Sequence, residues 1–119
     1  MDSAPRLSLN ESHVRLAHAV RKHLDAHMDR RITLAQLSER FHASGTQIKA
    51  AYRETFGVSV YADTRARKMR EAGRLLRETG LSVLEIAGRL GYDNASKFAA
   101  AFRAVMGVTP LHYRKGKEE

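Results

Sequence analysis

Four histidines bring the sequence closest to metal or acid–base chemistry. His13, His18, His23 and His27 fall in one segment, and the last two are four residues apart, so a helix would place them on one face. A zinc enzyme also needs a third ligand and a nearby carboxylate in a set pattern, and neither is found here. We therefore interpret them as surface histidines and expect no metal and no cofactor. With no cysteine and no glycine-rich phosphate loop either, we expect no catalytic residue and a protein that is not an enzyme.

Net charge is the stronger signal. Lysine and arginine number 21 against 13 aspartate and glutamate in 119 residues, which gives a formal net charge of +8 and a pI near 10.3. Such an excess favours a polyanionic partner such as nucleic acid. No apolar run approaches the roughly 18–20 residues that cross a bilayer, and the first residues lack the features of a secretory signal. We expect a cytoplasmic protein that does not enter a membrane.

The later half of the chain predicts two short helices joined by a tight corner. Apolar residues recur at helical spacing over 83–90 and again over 98–106. Gly91 can end the first of these helices, and Asp93 or Asn94 can cap the second. This pattern is typical of a helix-turn-helix.

The earlier half has the same pattern over 34–41 and 48–56. Thr33 and Ser44 are each followed three residues later by glutamine, which predicts a capping box at the start of each helix. Gly57 can end the second helix. We therefore expect a first helix-turn-helix here.

The two stretches are copies of one unit. Their caps, inner positions and terminal glycines stay in step, with one residue added in the second corner. The matched residues are, at an offset of 49, Thr33 with Ser82, Leu34 with Val83, Leu37 with Ile86 and Phe41 with Leu90, and, at an offset of 50, Ile48 with Phe98, Tyr52 with Phe102, Arg53 with Arg103, Phe56 with Met106 and Gly57 with Gly107.

The remaining segments support or connect the copies. A support helix is predicted from Ser8, which opens a capping box, to about Met28, and a final helix capped by Thr109 is predicted over 111–115. The candidate inner edge of the support helix is Val14, Ala17, Val20 or Arg21, Leu24 and Met28. The predicted domains are a mobile arm over 1–7, a first subdomain over 8–57, a linker helix over 58–79, a second subdomain over 80–115 and a tail over 116–119.

The linker is predicted to be one long helix. Ser59 caps it, and it runs to about Glu78 before Gly80. Its apolar positions are sparse in the first half, and Gly73 costs about 1 kcal/mol relative to alanine, so we expect its middle to be partly exposed. Its length of roughly 30 Å is close to the roughly 34 Å turn of duplex DNA, so it could hold two units in successive major grooves.

The most specific stretch is LSVLEIAGRLGYDNASKFAAAFRAVMGVTPLHYRK, which begins at Leu81. The residues that carry its signature are Ile86, Ala87, Gly91, Tyr92, Phe98, Phe102, Gly107, Pro110, Tyr113 and Arg114. On these residues the chain resembles the DNA-binding domain of the AraC/XylS family of bacterial transcription regulators, over about 32–114. The resemblance implies an all-α fold of two helix-turn-helix subdomains, homeodomain-like three-helix units joined by a long linker helix. It also implies sequence-specific binding to double-stranded DNA.

The resemblance further implies that the second helix of each pair enters the major groove. In the first copy, Thr46, Lys49 and Ala50 match positions that read base edges in similar proteins, with Gln47 beside them. Lys49 can donate to guanine O6 or N7, and Thr46 can bond to a base or touch a thymine methyl. Gln47 could reach adenine or a phosphate.

In the second copy, the base-reading candidates are Asn94, Ser96 and Lys97. Ala99 and Ala100 stand where many relatives carry longer polar side chains, and alanine can only touch a methyl group. We therefore expect this copy to rely more on phosphate contacts and DNA shape, and the first copy to supply most of the base discrimination.

Phosphate contacts are expected from two equivalent arginines and two equivalent helix starts. Arg53 and Arg103 are the candidate phosphate clamps. The capped starts at Thr33 and Ser82 direct backbone N–H groups outward, where a phosphate could sit.

Two linker positions depart from the resemblance. Asp63 and Thr64 stand where similar proteins often carry an aromatic residue and a leucine. The charge favours exposure of this part of the linker over packing against the first subdomain.

Three interpretations stay open. The chain is a whole small regulator, the isolated DNA-binding domain of a longer ligand-responsive regulator, or a basic helical module for a membrane surface or a protein partner. The last rests on the basic amphipathic sequence ARKMREAGRLLR. We expect double-stranded DNA as the partner, with RNA polymerase as a second candidate, and a monomer on one asymmetric site of about two helical turns.

Overall fold

A computed structural model shows a helical chain, described for residues 4–116 and for side chains from Glu11 onward. Residues 4–116 contain no strand. Among these residues, no helix is both long and apolar enough to span a bilayer. The helices are α1 (Ala4–Ala26), α2 (Leu34–Phe41), α3 (Gly45–Phe56), α4 (Val60–Glu78), α5 (Val83–Arg89), α6 (Ala95–Met106) and α7 (Pro110–Gly116).

The helices pack as two units, each with its own core. Unit 1 takes α1, α2, α3 and the start of α4 up to Asp63; unit 2 takes His27–Arg31 and the chain from Thr64 onward. The sequence instead predicted a separate linker over 58–79. The difference arises because α4 supplies four buried residues to the core of unit 2, namely Met69, Ala72, Leu75 and Leu76.

α1 begins before the predicted start. It starts at Ala4 rather than near Ser8, because Pro5 falls in the first turn, where a missing N–H and a fixed φ are tolerated. Residues 1–3 of the predicted arm and 117–119 of the predicted tail lie outside the described residues. The predicted capping box at Ser8 involves a side chain that is also outside the described set.

The inner face of α1 is narrower than predicted. Val14 is 44% exposed, so its placement on the inner edge is wrong. Met28 lies past the end of α1 and packs against the core of unit 2. From Glu11 onward, the buried residues of α1 are Ala17, Val20 and Leu24.

In unit 1, α2 and α3 begin and end at the predicted residues. Thr33 Oγ1 accepts from the Gln36 amide at 3.1 Å, and Gln36 Oε1 accepts from the Thr33 amide at 2.9 Å, which confirms the capping box. At Ser44, the hydroxyl accepts from the Gln47 amide at 3.0 Å, but within the described residues the Gln47 side chain does not bond back to the Ser44 amide, so the predicted capping box is only half formed. Gly57 ends α3 with a φ of +75°.

The corner between α2 and α3 contains a residue in a left-handed conformation. His42 has a φ of +53°, and it is the only non-glycine residue within 4–116 with a positive φ. The matching position in unit 2 is Gly91, at an offset of 49 and a φ of +83°. A left-handed conformation costs a residue with a Cβ roughly 1–2 kcal/mol, so this corner of unit 1 is strained.

The corner of unit 2 is closed by a Schellman motif. The Tyr92 amide donates to the Ala87 carbonyl at 2.9 Å, and the Gly91 amide donates to the Gly88 carbonyl at 3.1 Å. A Cβ at residue 91 would lie 3.2 Å from backbone atoms of Arg30. Glycine is therefore required here both by conformation and by space.

The capping residue of α6 is Asn94. Its Oδ1 accepts from the Lys97 amide at 2.9 Å. The matching cap of α3 is Ser44, at an offset of 50, so Asp93 is the residue added in the second corner.

Each core combines inner residues that the repeat predicted with residues from a helix outside the repeat, α1 in unit 1 and α4 in unit 2. In unit 1, the buried cluster is Val20, Leu24, Leu37, Ile48 and Tyr52, with Phe41 and Phe56 packed against it. In unit 2, the buried cluster is Met69, Ala72, Leu75, Leu76, Ile86, Ala87, Leu90, Phe98 and Phe102.

The middle of α4 is partly exposed, as expected: residues 64–68 are half-buried and Arg70 and Arg74 are exposed, whereas Gly73 is buried. A Cβ at Gly73 would lie 3.1 Å from the ring of Tyr113. The rings of Tyr113 and Phe102 meet edge-on, with centroids 5.4 Å apart. Gly73 is therefore a packing residue that gives the Tyr113 ring room to approach.

Arg114 closes the end of α4. Its Nε donates to the Leu76 carbonyl at 2.9 Å, and its Nη2 donates to the carbonyls of Thr79 at 3.3 Å and Leu81 at 2.7 Å. The bond to Leu76 satisfies a carbonyl in the last turn of α4 that has no partner within the helix, and the other two reach the segment after it. One guanidinium from α7 thereby joins α4 to the segment before α5.

Candidate nucleic-acid interface

The outer face of α3 carries the predicted base-reading residues of unit 1. Thr46, Lys49, Ala50 and Arg53 are all exposed, and at about 100° per residue they fall on one side of the helix. The opposite side carries the buried residues of α3. Gln47 is also exposed, but it lies about 100° from Thr46, at the edge of the face.

The outer face of α6 has the same geometry and different side chains. Ser96, Ala99, Ala100 and Arg103 occupy the equivalent side, where Ala99 is half-buried and the others are exposed. Lys97 lies at the edge, as Gln47 does on α3. The face of α6 is therefore shorter and less polar than that of α3.

Asn94 is engaged in capping. Because its Oδ1 accepts from the Lys97 amide, its NH₂ group and one lone pair of Oδ1 remain for a base. Capping therefore reduces the number of hydrogen bonds that Asn94 can make to a base. Its base-reading role stays a prediction.

Among the side chains that the structure describes, none pairs with the cations on these two faces. Within the described side chains, Lys49, Arg53, Lys97 and Arg103 have no ion-pair or hydrogen-bond partner. By contrast, Arg74 on α4 bonds to two glutamates of its own helix. Exposed cations without an acidic partner are suited to phosphate oxygens.

The two proposed helix-start phosphate sites differ in charge. At Ser82, the backbone amide already donates to Glu85 Oε1 at 2.8 Å, and this hydrogen bond lowers the pKa of Glu85. At Thr33, the corresponding partner is the neutral Gln36. The carboxylate repels a phosphate, so Thr33 is the better candidate of the two.

A buried polar cluster lies on the inner side of α3. Asp63 is only 7% exposed, so the expected exposure of this charge is wrong. Its Oδ2 accepts from the Tyr52 hydroxyl and from Arg21 Nε, the latter at 3.3 Å. Burial is tolerated because both a hydroxyl and a guanidinium satisfy the carboxylate. We call Arg21, Tyr52 and Asp63 the polar cluster.

The polar cluster connects three helices of unit 1. The Arg21 guanidinium also stacks over the Phe56 ring, 3.8 Å from its centroid, and Tyr52 meets the same ring edge-on at 4.7 Å. Burial, and then the hydrogen bond to Asp63, raises the pKa of Tyr52. In the sequence, Tyr52 is a matched inner position and Arg21 an alternative inner position of the support helix, but Asp63 was expected to be exposed, so the polar cluster was not predicted.

The histidines of α1 pack against aromatic rings rather than forming a cluster. His18 meets Phe56 edge-on at 5.0 Å, and His23 meets Phe41 at 5.8 Å. His13 Nδ1 lies 3.5 Å from a carboxylate oxygen of Glu54. Among the described residues, no group of three or more histidines, aspartates or glutamates is arranged to hold a metal ion.

The fold and its two exposed helix faces define a tandem helix-turn-helix protein. A family profile described as a helix-turn-helix domain matches residues 37–116. The chain belongs to the AraC/XylS family of transcription regulators and corresponds to its DNA-binding domain.

Similar proteins agree with this assignment. The uncharacterized HTH-type transcriptional regulator YdiP of Escherichia coli K12 is 38% identical over 85 residues, which are 71% of this chain and 28% of that protein. The C-terminal domain of the response regulator AraT from Geobacillus stearothermophilus superposes with a TM-score of 0.82 at 29% identity, over 85% of this chain and 84% of that one. The DNA-binding domain of AdpA, solved with a target DNA, gives a TM-score of 0.77 at 27% identity, over 85% and 90%.

The chain is short relative to its curated relatives. It spans 28%, 11% and 35% of the lengths of three of them.

Proposed function

We propose that this chain binds double-stranded DNA sequence-specifically in the bacterial cytoplasm, as the DNA-binding part of a transcription regulator. α3 and α6 enter successive major grooves. The observation that carries the proposal is the outer face of α3, where exposed polar and cationic residues stand opposite a buried core face. AdpA, whose DNA-binding domain has the same fold and was solved with a target DNA, supports it.

In this proposal, base discrimination is concentrated in unit 1. Lys49 donates to a guanine, Thr46 contacts a neighbouring base and Ala50 touches a thymine methyl, while Gln47 reaches an adenine or a phosphate. On α6, the shorter side chains leave more of the affinity to phosphate contacts and DNA shape. The base-contacting residues proposed on that side are Asn94, Ser96 and Lys97.

Phosphate contacts come from Arg53 and Arg103, and from the helix start at Thr33. Ser82 is retained as a weaker site because of the adjacent carboxylate of Glu85. Each lost arginine–phosphate contact should reduce the salt dependence of binding by about one unit.

A selection from random duplex DNA tests the proposal. We expect enrichment of one asymmetric sequence of about two helical turns, bound by a monomer at one protein per site. The proposal is wrong if no sequence is enriched, or if equal affinity is found for all duplexes.

Two variants separate base reading from phosphate binding. Lys49→Ala should weaken binding by about 1–3 kcal/mol only when the preferred base is present. Arg103→Ala should weaken binding to all sequences about equally and reduce the salt slope by about one unit. A uniform loss in both variants would refute the base-reading role of Lys49.

Contacts with RNA polymerase and a response to a ligand concern the whole regulator. If such a regulator contains this chain, a pull-down of RNA polymerase on promoter DNA, with and without the chain, tests the first. A lack of additional polymerase in the presence of the chain contradicts it.

A further inference from the structure

Asp63 lies buried against the inner side of α3, the helix that carries the proposed base-reading residues of unit 1. Asp63 is the only buried charged residue among the side chains described from Glu11 to Gly116. Its two donors come from different helices, Tyr52 from α3 and Arg21 from α1. We propose that Asp63 is a positioning residue, which sets the orientation of α3 and thereby aims Lys49 and Thr46 at the bases.

The geometry of α3 makes this coupling direct. Tyr52 lies three residues after Lys49 and six after Thr46, so all three belong to two consecutive turns of one rigid helix. A change in the rotation of α3 at Tyr52 therefore turns the readers by the same angle.

The type of bond explains why a polar group is used. Apolar contacts permit small rotations at little cost, because the hydrophobic effect is non-directional. Hydrogen bonds weaken steeply as their angles depart from linearity, and a buried carboxylate that loses a donor is left unsatisfied. The polar cluster therefore resists rotation of α3 in a way that apolar packing does not.

Unit 2 offers an internal comparison. The residue that matches Asp63 at an offset of 50 is Tyr113, and the residue that matches Tyr52 is Phe102. These two rings meet edge-on, with no hydrogen bond between them to fix their angle. On α6, the outward positions that match Lys49 and Ala50 are both alanine, and short side chains need less exact aiming. The polar cluster thus lies on the inner side of α3, the helix whose longer base-reading side chains require a fixed orientation.

The inference rests on the proposed DNA binding, and one pair of variants tests it in the full chain. Tyr52→Phe removes one hydroxyl from the polar cluster. Tyr113→Phe removes the same atom from the matching region of unit 2. Binding is measured on the selected DNA site, on a series with each base replaced in turn, and on unrelated duplex at several salt concentrations.

We expect Tyr52→Phe to reduce discrimination at the bases read by α3 about three- to tenfold. Its affinity for unrelated duplex and its salt slope should equal those of the wild type, because no cation is changed. Tyr113→Phe should retain discrimination in both halves of the site. Unchanged discrimination in Tyr52→Phe, or an equal loss on every sequence, overturns the proposal.

A double-mutant cycle distinguishes positioning from general stability. If Tyr52 acts through Lys49, then Lys49→Ala combined with Tyr52→Phe should discriminate at the Lys49 base no worse than Lys49→Ala alone. Losses that multiply would mean that Tyr52 does not act through Lys49. The Asp63→Ala variant, which removes the carboxylate that accepts from both Tyr52 and Arg21, provides the same test should Tyr52→Phe fail to fold by circular dichroism.

The wild-type protein separates this proposal from the one on which it rests. A wild type without preference among duplexes refutes the proposed function, and the positioning role with it. A wild type with a clear preference that Tyr52→Phe and Asp63→Ala both keep refutes the positioning role alone.

Discussion

The two units share one supersecondary plan but close their cores with different chemistry. In unit 1, Asp63 follows α3 in the sequence and reaches back into the core, where it accepts a hydrogen bond from Tyr52. In unit 2, the matching residue is Tyr113, which packs on Phe102. One copy therefore uses directional polar bonds where the other uses aromatic packing.

A second pair of matched positions, Arg21 and Gly73, compensates for the difference in side-chain volume between Asp63 and Tyr113. Ala17, Val20 and Leu24 of α1 match Met69, Ala72 and Leu76 of α4 at an offset of 52, which pairs Arg21 with Gly73. In unit 1, a long Arg21 meets a short carboxylate. In unit 2, a glycine meets a large ring.

The difference shows how two copies of one unit can specialise, one for reading bases and the other for contacting phosphates. The copy with directional bonds carries lysine and threonine on its outer face, while the copy with aromatic packing carries alanines. A helix that reads bases with long side chains needs a fixed orientation, whereas one that mainly contacts phosphates tolerates more freedom.

The largest expected effect tests the aromatic core of unit 2. Phe102→Ala should cost roughly 3–5 kcal/mol of the free energy of unfolding, because a fully buried ring is lost and a cavity remains. Urea unfolding followed by circular dichroism measures it, with the exposed Ala104→Ser on the same helix as the control. A near-unchanged midpoint would contradict the buried placement.

The next effect tests the polar closure of unit 1. Tyr52→Phe should cost about 1.5–3 kcal/mol at neutral pH, since a buried carboxylate loses a donor. The pKa of Tyr52 is raised above its ordinary value of about 10, so the folded state keeps this proton where the unfolded state releases it.

The stability of the wild type should therefore fall as pH rises above about 10, and the variant should lose less over the same range. Unfolding curves between pH 8 and pH 11 measure both. Parallel curves for the two proteins would contradict the raised pKa.

A smaller effect is expected at the corner of unit 2. Gly91→Ala should destabilise the protein by about 1–2 kcal/mol, because alanine disfavours a positive φ. The close approach to Arg30 adds to the cost. Gly88→Ala, exposed and in a helix, is the control and should not destabilise. Equal melting temperatures for Gly91→Ala and the wild type would argue against the Schellman corner.

The smallest effect is expected at the matching corner of unit 1. His42→Gly relieves the left-handed strain but frees the unfolded chain, so a net gain of about 0.5 kcal/mol is expected. Differential scanning calorimetry of the variant and the wild type measures the difference in melting temperature. A lower melting temperature would mean that the imidazole makes a stabilising contact.

Much of the fold could be predicted because the relevant signals are local. Caps such as Thr33, Ser59 and Thr109 bond to amides within the next three residues, so neighbouring sequence is enough to find them. The repeat then identified the inner faces of the helices, since apolar positions that recur in both copies are stronger evidence of burial than a pattern in one copy. The site residues on α3 were then predicted as those on the face opposite its inner, apolar face.

The errors concern residues whose environment is made by distant parts of the chain. The burial of Asp63 depends on Arg21, which lies 42 residues away. The role of Gly73 depends on Tyr113, so a glycine that looked like a weak point in a helix is in fact a contact site. Propensity and periodicity carry no information about such partners.

The Arg114 clamp has a consequence for how the protein emerges from the ribosome. The residues that close unit 1 are complete at Asp63, whereas unit 2 lacks the guanidinium that holds the end of α4 until Arg114 has been added. At roughly 5–20 residues per second, synthesis of the intervening 51 residues takes on the order of 3–10 s, longer than small helical domains need to fold. The half that we propose reads the bases can therefore reach its final structure first, while its duplicate is still being made.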